Sequence, residues 1–158
     1  MRTLPSSDVD PTKGNDASFI PAAAQKVLDL FGSISDRAAA VLGANADWGE
    51  SGRREGQYAI DLDVDEVCVH PLLAAGFDVL SEESGLQHHG DEVGSDVVVV
   101  DPLDGSTNAS LGLPWCATAL CLVSNGVPSV AMVTNLATGD RYTAVQDRGA
   151  DRNGRPIL

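Results

Sequence analysis

The chain has 158 residues, a length that suits one domain with a substantial hydrophobic core. Its 23 acidic and 10 basic residues leave a formal charge of −13. That balance excludes a basic nucleic-acid or anionic-membrane surface, and it sits awkwardly with an anionic substrate unless metal cations reverse the local sign.

No apolar stretch approaches the roughly 20 residues that span a bilayer. The start, MRTLPSSDVDPTKGND, lacks the apolar segment of a signal peptide, so a cytoplasmic location is expected. Residues 1–18 are polar and carry Pro, Ser, Asp and Gly, the composition of a mobile lead-in. From Pro21 to Leu42 the residues Val27, Leu28, Leu30, Phe31, Ile34, Ala38, Val41 and Leu42 recur at three- and four-residue intervals, which predicts a helix that Gly32 and Ser33 bend or split. Gly43 to Gln57 is Gly-rich and charged and reads as a loop.

The run Tyr58-Ala-Ile-Asp-Leu-Asp-Val-Asp65 alternates apolar and acidic residues and predicts a short strand ending in acid. A helix is expected from Glu66 to Ala75, with Asp65 as its N-cap and Pro71 disturbing its regularity. Phe77 to Ser81 predicts a strand leading into Glu82-Glu83-Ser84-Gly85. Further on, Trp115–Ser124, Pro128–Asn135 and Arg141–Val145 form a β meander, turning at Asn125-Gly126 and Thr138-Gly139. Helices followed by antiparallel strands make an α+β domain.

The three cysteines, Cys68, Cys116 and Cys121, lack the spacing of a zinc knuckle, and Cys116 and Cys121, within an apolar strand-like run, read as small core residues. His88 and His89, beside Asp91 and Glu92, read as part of a solvated loop, with metal binding the weaker alternative. His70 has no evident partner in the sequence.

The most informative segment is Val97-Val-Val-Val-Asp-Pro-Leu-Asp-Gly-Ser-Thr-Asn108. A buried strand that stops at a carboxylate delivers that carboxylate to the edge of a sheet. Pro102 stiffens the turn between Asp101 and Asp104, and Gly105 frees the backbone where a helix can begin. Carboxylates for hard cations next to N–H groups and hydroxyls for an anion describe a site for a metal ion and a phosphate together. Three acidic stations lie at the ends of the predicted strands: Asp65, the pair Glu82-Glu83, and the pair Asp101/Asp104. Two cations sharing a phosphate need such a gathering of oxygen ligands.

LSEESG, followed by DPLDGSTN and later by GADRNGRPI, resembles the inositol monophosphatase-like family of magnesium-dependent phosphatases, from about Pro21 onward. The resemblance implies two N-terminal helices packed on a mainly antiparallel sheet, the first half of an αβαβα sugar-phosphatase fold. It implies Glu82 as a bridging metal ligand with Glu83 supporting it, Asp101 as a carboxylate bridging two metals, and Asp104 as a ligand of the second. Leu103 would contribute its backbone carbonyl to a metal, and the N–H groups of Gly105 and Ser106 would hold the phosphate. Ser106 stands where the family often has threonine. Its hydroxyl would pair with an upstream aspartate to orient the attacking water; Asp65 is the first choice and Asp63 the alternative, since the run Asp61, Asp63, Asp65 leaves the register open.

The implied cofactor is Mg2+, two or three ions in the complete site, and the implied reaction is in-line hydrolysis of a small phosphate monoester by metal-activated water. The family's WDxAxG-like segment follows neither Trp48 nor Trp115, so residues 19–158 correspond to an N-terminal metal-binding half. From that follow association with a C-terminal half, an exposed apolar face, and, as the alternative function, a non-catalytic metal-binding fragment; a homodimer is the other partner that the resemblance implies. Inositol phosphates, sugar bisphosphates and nucleotide phosphates are all open as substrates.

Overall fold

Helix α1 (Ala22–Gly43) presents Ala24, Leu28, Phe31, Ile34, Ser35 and Ala38 to the interior at the predicted spacing. In this computed structural model, which describes residues 20–44, 46–91 and 94–157, α1 runs unbroken through Gly32 and Ser33. Gly32 is a point of close approach and leaves the helix intact: a Cβ there would lie 3.3 Å from Arg141 Nη1. The expected lead-in, residues 1–18, lies outside the described residues.

Helix α2 (Ala59–Ala74) replaces the strand expected over residues 58–65. The alternation from Tyr58 to Asp65 has period two, but Ile60, Val64 and Cys68 also recur at four, and burial against the sheet selects that period. Tyr58 caps the helix and Asp61 is its third residue, whose carboxylate reaches back to accept the Tyr58 backbone N–H at 2.8 Å, half of a capping box. Asp65 is therefore an interior helical residue, not an N-cap at a strand end. Pro71 sits inside α2, which continues past it to Ala74.

Eight strands follow: β1 (Asp78–Ser81), β2 (Gly85–Gln87), β3 (Asp96–Asp104), β4 (Ala117–Ser124), β5 (Val127–Asn135), β6 (Arg141–Val145), β7 (Gly149–Arg152) and β8 (Arg155–Pro156). They form one sheet in the order β2-β1-β3-β4-β5-β6-β7-β8. The β1–β3 pair is parallel and every other pair antiparallel, as the α+β reading requires. A short helix, α3 (Ser106–Ser110), separates β3 from β4.

Both long helices cover one face of the sheet, α1 over β4 and β5, and α2 over β1 and β3. The core lies between them, with Phe31, Ile34, Ile60, Val64, Leu72, Val79, Val98, Val100 and Leu120 essentially inaccessible. Cys68 and Cys116 are buried there and Cys121 is half-buried; all three are free thiols. Burial pushes the Cys68 thiol up to about 12, so it is inert packing. On the opposite face Leu80, Val99, Val133 and Tyr142 stand 40–44% exposed, an apolar surface of the kind expected. Among the described residues no helix is long and apolar enough to cross a membrane.

Candidate active site

Parallel pairing of β1 with β3 brings the acidic stations together. Ser81 lies opposite Val100, and the Glu82 N–H continues the pairing by donating to the Val100 carbonyl at 3.1 Å. The residue after Ser81 is thereby level with Asp101, the residue after Val100. The β3–β4 register then slips between Asp101 and Asp104: Asp101 pairs with Ala119 but Asp104 with Ala117, so β3 carries one extra residue. Pro102, lacking an N–H, suits such a bulge, and its carbonyl accepts the buried Thr118 hydroxyl at 2.8 Å. The bulge leaves Leu103 in the core and Asp104 exposed.

Gly105 turns the corner in the left-handed region, φ 79° and ψ 36°. Only glycine fits, since a Cβ would lie 2.6 Å from the Trp115 carbonyl oxygen. That carbonyl accepts the Asn108 side-chain amide at 2.9 Å, fastening α3 to the following loop. The opening N–H groups of α3 have no acceptor within the helix.

Burial and crowding raise the Asp101 carboxyl to about 7: desolvation contributes most, then the neighbouring charges of Glu82 and Asp104, a hydrogen bond shared with Glu82, and the charge of Glu83. Among the described residues no three His, Cys, Asp or Glu side chains converge into a ready metal cage. The set is nonetheless all oxygen, and Arg54, paired with Glu83, offsets only part of its negative charge, which is the chemistry that suits a hard divalent cation. The residues fit the group.

The three aspartates of α2 divide clearly. Asp63 is exposed beside Arg53, His70 and Gln87. Asp65 is buried and points at β1, where its carboxylate accepts the Ser81 hydroxyl. The Ser81 oxygen in turn accepts the Glu83 N–H at 3.1 Å, so Asp65 braces the acidic turn from behind. Asp61 faces the site. One of its oxygens holds Tyr58, while the other, Oδ1, is buried with no hydrogen-bond partner among the described residues. Burial raises the Asp61 carboxyl, opposed by the Tyr58 N–H, the nearby Ser106 hydroxyl and the Arg54 charge, while Glu82 raises it further. The structure thus places Ser106 by Asp61, one turn before the aspartate chosen from the sequence.

Glu83 is held too: Arg54 reaches its Oε2 at 2.8 Å and the buried Gln57 amide donates to the same oxygen. Neither partner was singled out from the sequence, where they belong to an unremarkable Gly-rich loop. The histidine pair forms a second unforeseen constellation. The Nδ1 atoms of His88 and His89 donate to opposite oxygens of the fully buried Asp78 at 2.9 and 2.8 Å, and the N–H groups of His89 and Gly94 complete the shell at 3.0 and 2.9 Å. The His88 contact first, and then those of His89, hold the Asp78 carboxyl well below the usual carboxylate range. The pair anchors a loop to β1 and lies apart from the acidic cluster's hydrogen bonds.

Comparison with known proteins agrees with this fold. The model of the inositol monophosphatase family matches residues 17–158. The chain is 34% identical over 103 residues to the probable inositol 1-monophosphatase ImpA of Mycobacterium tuberculosis, covering 61% of this chain and 35% of that protein. It is 43% identical over 82 residues to the fructose-1,6-bisphosphatase/inositol-1-monophosphatase of Archaeoglobus fulgidus, covering 50% and 31%. The solved inositol monophosphatase of Anabaena (Nostoc) superimposes with a TM-score of 0.69 at 27% identity, over 86% of this chain and 50% of that one. The matches span about a third to a half of these relatives' length. Helices on one face of a mixed sheet, the acidic turn beside the β3 bulge and a family match over most of the sequence lead to one conclusion: this chain belongs to the inositol monophosphatase family.

Proposed function

We propose that the chain carries the metal- and phosphate-binding part of a magnesium-dependent phosphomonoesterase acting on a small phosphorylated substrate. The observation that carries the reading is the meeting of Asp101, crowded by Glu82 and Asp104, with the Gly105–Ser106 corner that Asp61 faces. Family membership supports a phosphatase over the non-catalytic alternative. The relatives' names, inositol 1-monophosphatase and fructose-1,6-bisphosphatase, favour a polyol or sugar phosphate over a nucleotide.

Glu82, Asp101, Asp104 and the Leu103 carbonyl would hold the cations. When bound, these supply the positive charge that makes phosphorus electrophilic and water acidic. The chain's own groups do the rest. Gly105 and Ser106 offer N–H groups to the phosphate oxygens. The Ser106 hydroxyl orients a water for in-line attack. Asp61 accepts its proton through the unpartnered Oδ1, an oxygen already desolvated and poised for a donor. Glu83, fixed by Arg54 and Gln57, maintains the acidic turn.

Calorimetric titration with Mg2+, together with phosphate release from inositol 1-phosphate and fructose 1,6-bisphosphate, tests the reading. Saturable Mg2+ binding that Asp104→Asn weakens at least tenfold is expected. No saturable binding at millimolar Mg2+ would overturn it.

A further inference from the structure

The loop ahead of α2 is closed at its base and carries a cation at its tip. The Ser51 N–H donates to the Gln57 carbonyl at 2.8 Å, the Ser51 hydroxyl donates to the Gln57 side-chain oxygen at 2.6 Å, and Glu50 bridges to Tyr58. Within this frame Gly52 and Gly56 adopt φ of 74° and 76°, reversing the chain on either side of Arg54. The guanidinium crosses to the acidic turn, one nitrogen 2.8 Å from Glu83 Oε2 and another 3.5 Å from the Glu82 carbonyl oxygen. The pair is asymmetric: the Arg54 side chain is half exposed, whereas that of Glu83 is 10% exposed. The anion is built into the site and the cation arrives on a loop.

Such a contact does more than join two segments. Asp61, Glu82, Glu83, Asp101 and Asp104 are gathered on a chain of formal charge −13, and Arg54 supplies a positive charge among them. A cation entering beside Glu82 meets that guanidinium as a competitor for the same field. Because Arg54 is half exposed, the competition is modest and reversible.

Resting on the reading of the acidic cluster as a divalent-cation site, we propose that Arg54 is a tethered counter-ion that competes with the entering cation for the Glu82–Glu83 turn and thereby sets the cation concentration at which the site fills. Arg54 is a positioning residue in this scheme. It acts through Glu83, whose carboxylate its guanidinium contacts.

Magnesium titration by calorimetry of the wild-type chain, Arg54→Gln, Arg54→Lys, Glu83→Gln and the Arg54→Gln/Glu83→Gln double variant tests this. Arg54→Gln is expected to bind Mg2+ about three- to fivefold more tightly than wild type, the scale of an exposed ion pair. Arg54→Lys, which keeps the charge, is expected to stay within about twofold of wild type, which separates charge from structural damage. In the Glu83→Gln background the gain from removing Arg54 is expected to disappear. Equal or weaker binding by Arg54→Gln, with saturable wild-type binding, would overturn the counter-ion role and leave the cation site standing. Absence of saturable binding by the wild type would remove the cation site and this role together.

Discussion

Asp65 and Ser81 are joined by a buried hydrogen bond, helix to strand, in which the serine hydroxyl donates and the carboxylate accepts. Through the same serine oxygen the bond reaches the Glu83 N–H, so an α2 carboxylate supports the turn that presents Glu82 and Glu83. Asp61, one helical turn earlier, has an unpartnered oxygen and the Ser106 hydroxyl nearby. Two aspartates four apart on one helix are thereby committed to different tasks.

The variants Asp65→Ala and Asp61→Asn separate those tasks. Asp65→Ala leaves Ser81 without its buried acceptor and is expected to lower unfolding free energy by about 1–3 kcal/mol, read by urea denaturation. Asp61→Asn keeps an oxygen for the Tyr58 N–H and is expected to change stability by less than about 1 kcal/mol, while lowering phosphate release by about two orders of magnitude or more. Equal stability losses in the two variants would contradict the division.

Gly105→Ala tests the corner itself. The added Cβ meets a backbone carbonyl at 2.6 Å in a left-handed conformation, so the corner must move. A destabilisation of about 2 kcal/mol or more is expected, with weakened binding of inorganic phosphate in the presence of Mg2+. Gly43→Ala, at a helical position where a Cβ meets nothing within 4 Å, serves as the control.

The crowding of Asp101 has a pH signature in metal-free protein. Its folded-state value, about 7, lies above that of an ordinary carboxylate, so folding favours the protonated form. The associated stability is fully present below the ordinary value and is lost as pH rises through about 7. Asp101→Asn removes this liability. In the presence of EDTA it is expected to melt higher than wild type at pH 8 and close to it at pH 4, and to lose the stabilisation that Mg2+ gives wild type. A lower melting temperature at pH 8 would refute the crowding.

Asp78 has the opposite sign. Its carboxyl is depressed by His88 and His89, so its contribution is present above the ordinary carboxylate value and lost as pH falls through the folded-state value. Asp78→Asn is expected to be less stable than wild type at pH 7, with the gap narrowing below about pH 4. Acid titration followed by circular dichroism reads the difference, and a constant gap down to pH 2 would count against it.

By itself the sequence determined the elements whose information is local. The period of α1, the alternating strands of the meander with their Asn125-Gly126 and Thr138-Gly139 turns, and the Asp101–Asn108 corner depend on propensity and turn chemistry within a dozen residues. The motif was long enough to carry the family as well.

Tertiary structure decided what local pattern left degenerate. Residues 58–65 satisfy a period of two and a period of four, and only burial against β1 and β3 makes them helical. Once helical, successive residues turn by about 100°, so the rotation of α2 on the sheet sends Asp61 to the site, Asp65 to Ser81 and Asp63 to solvent. The Arg54–Glu83 and Asp78–histidine contacts are likewise invisible in the sequence. Long-range charge pairs are selected by which surfaces the packed core brings together, and residue spacing carries no record of that choice.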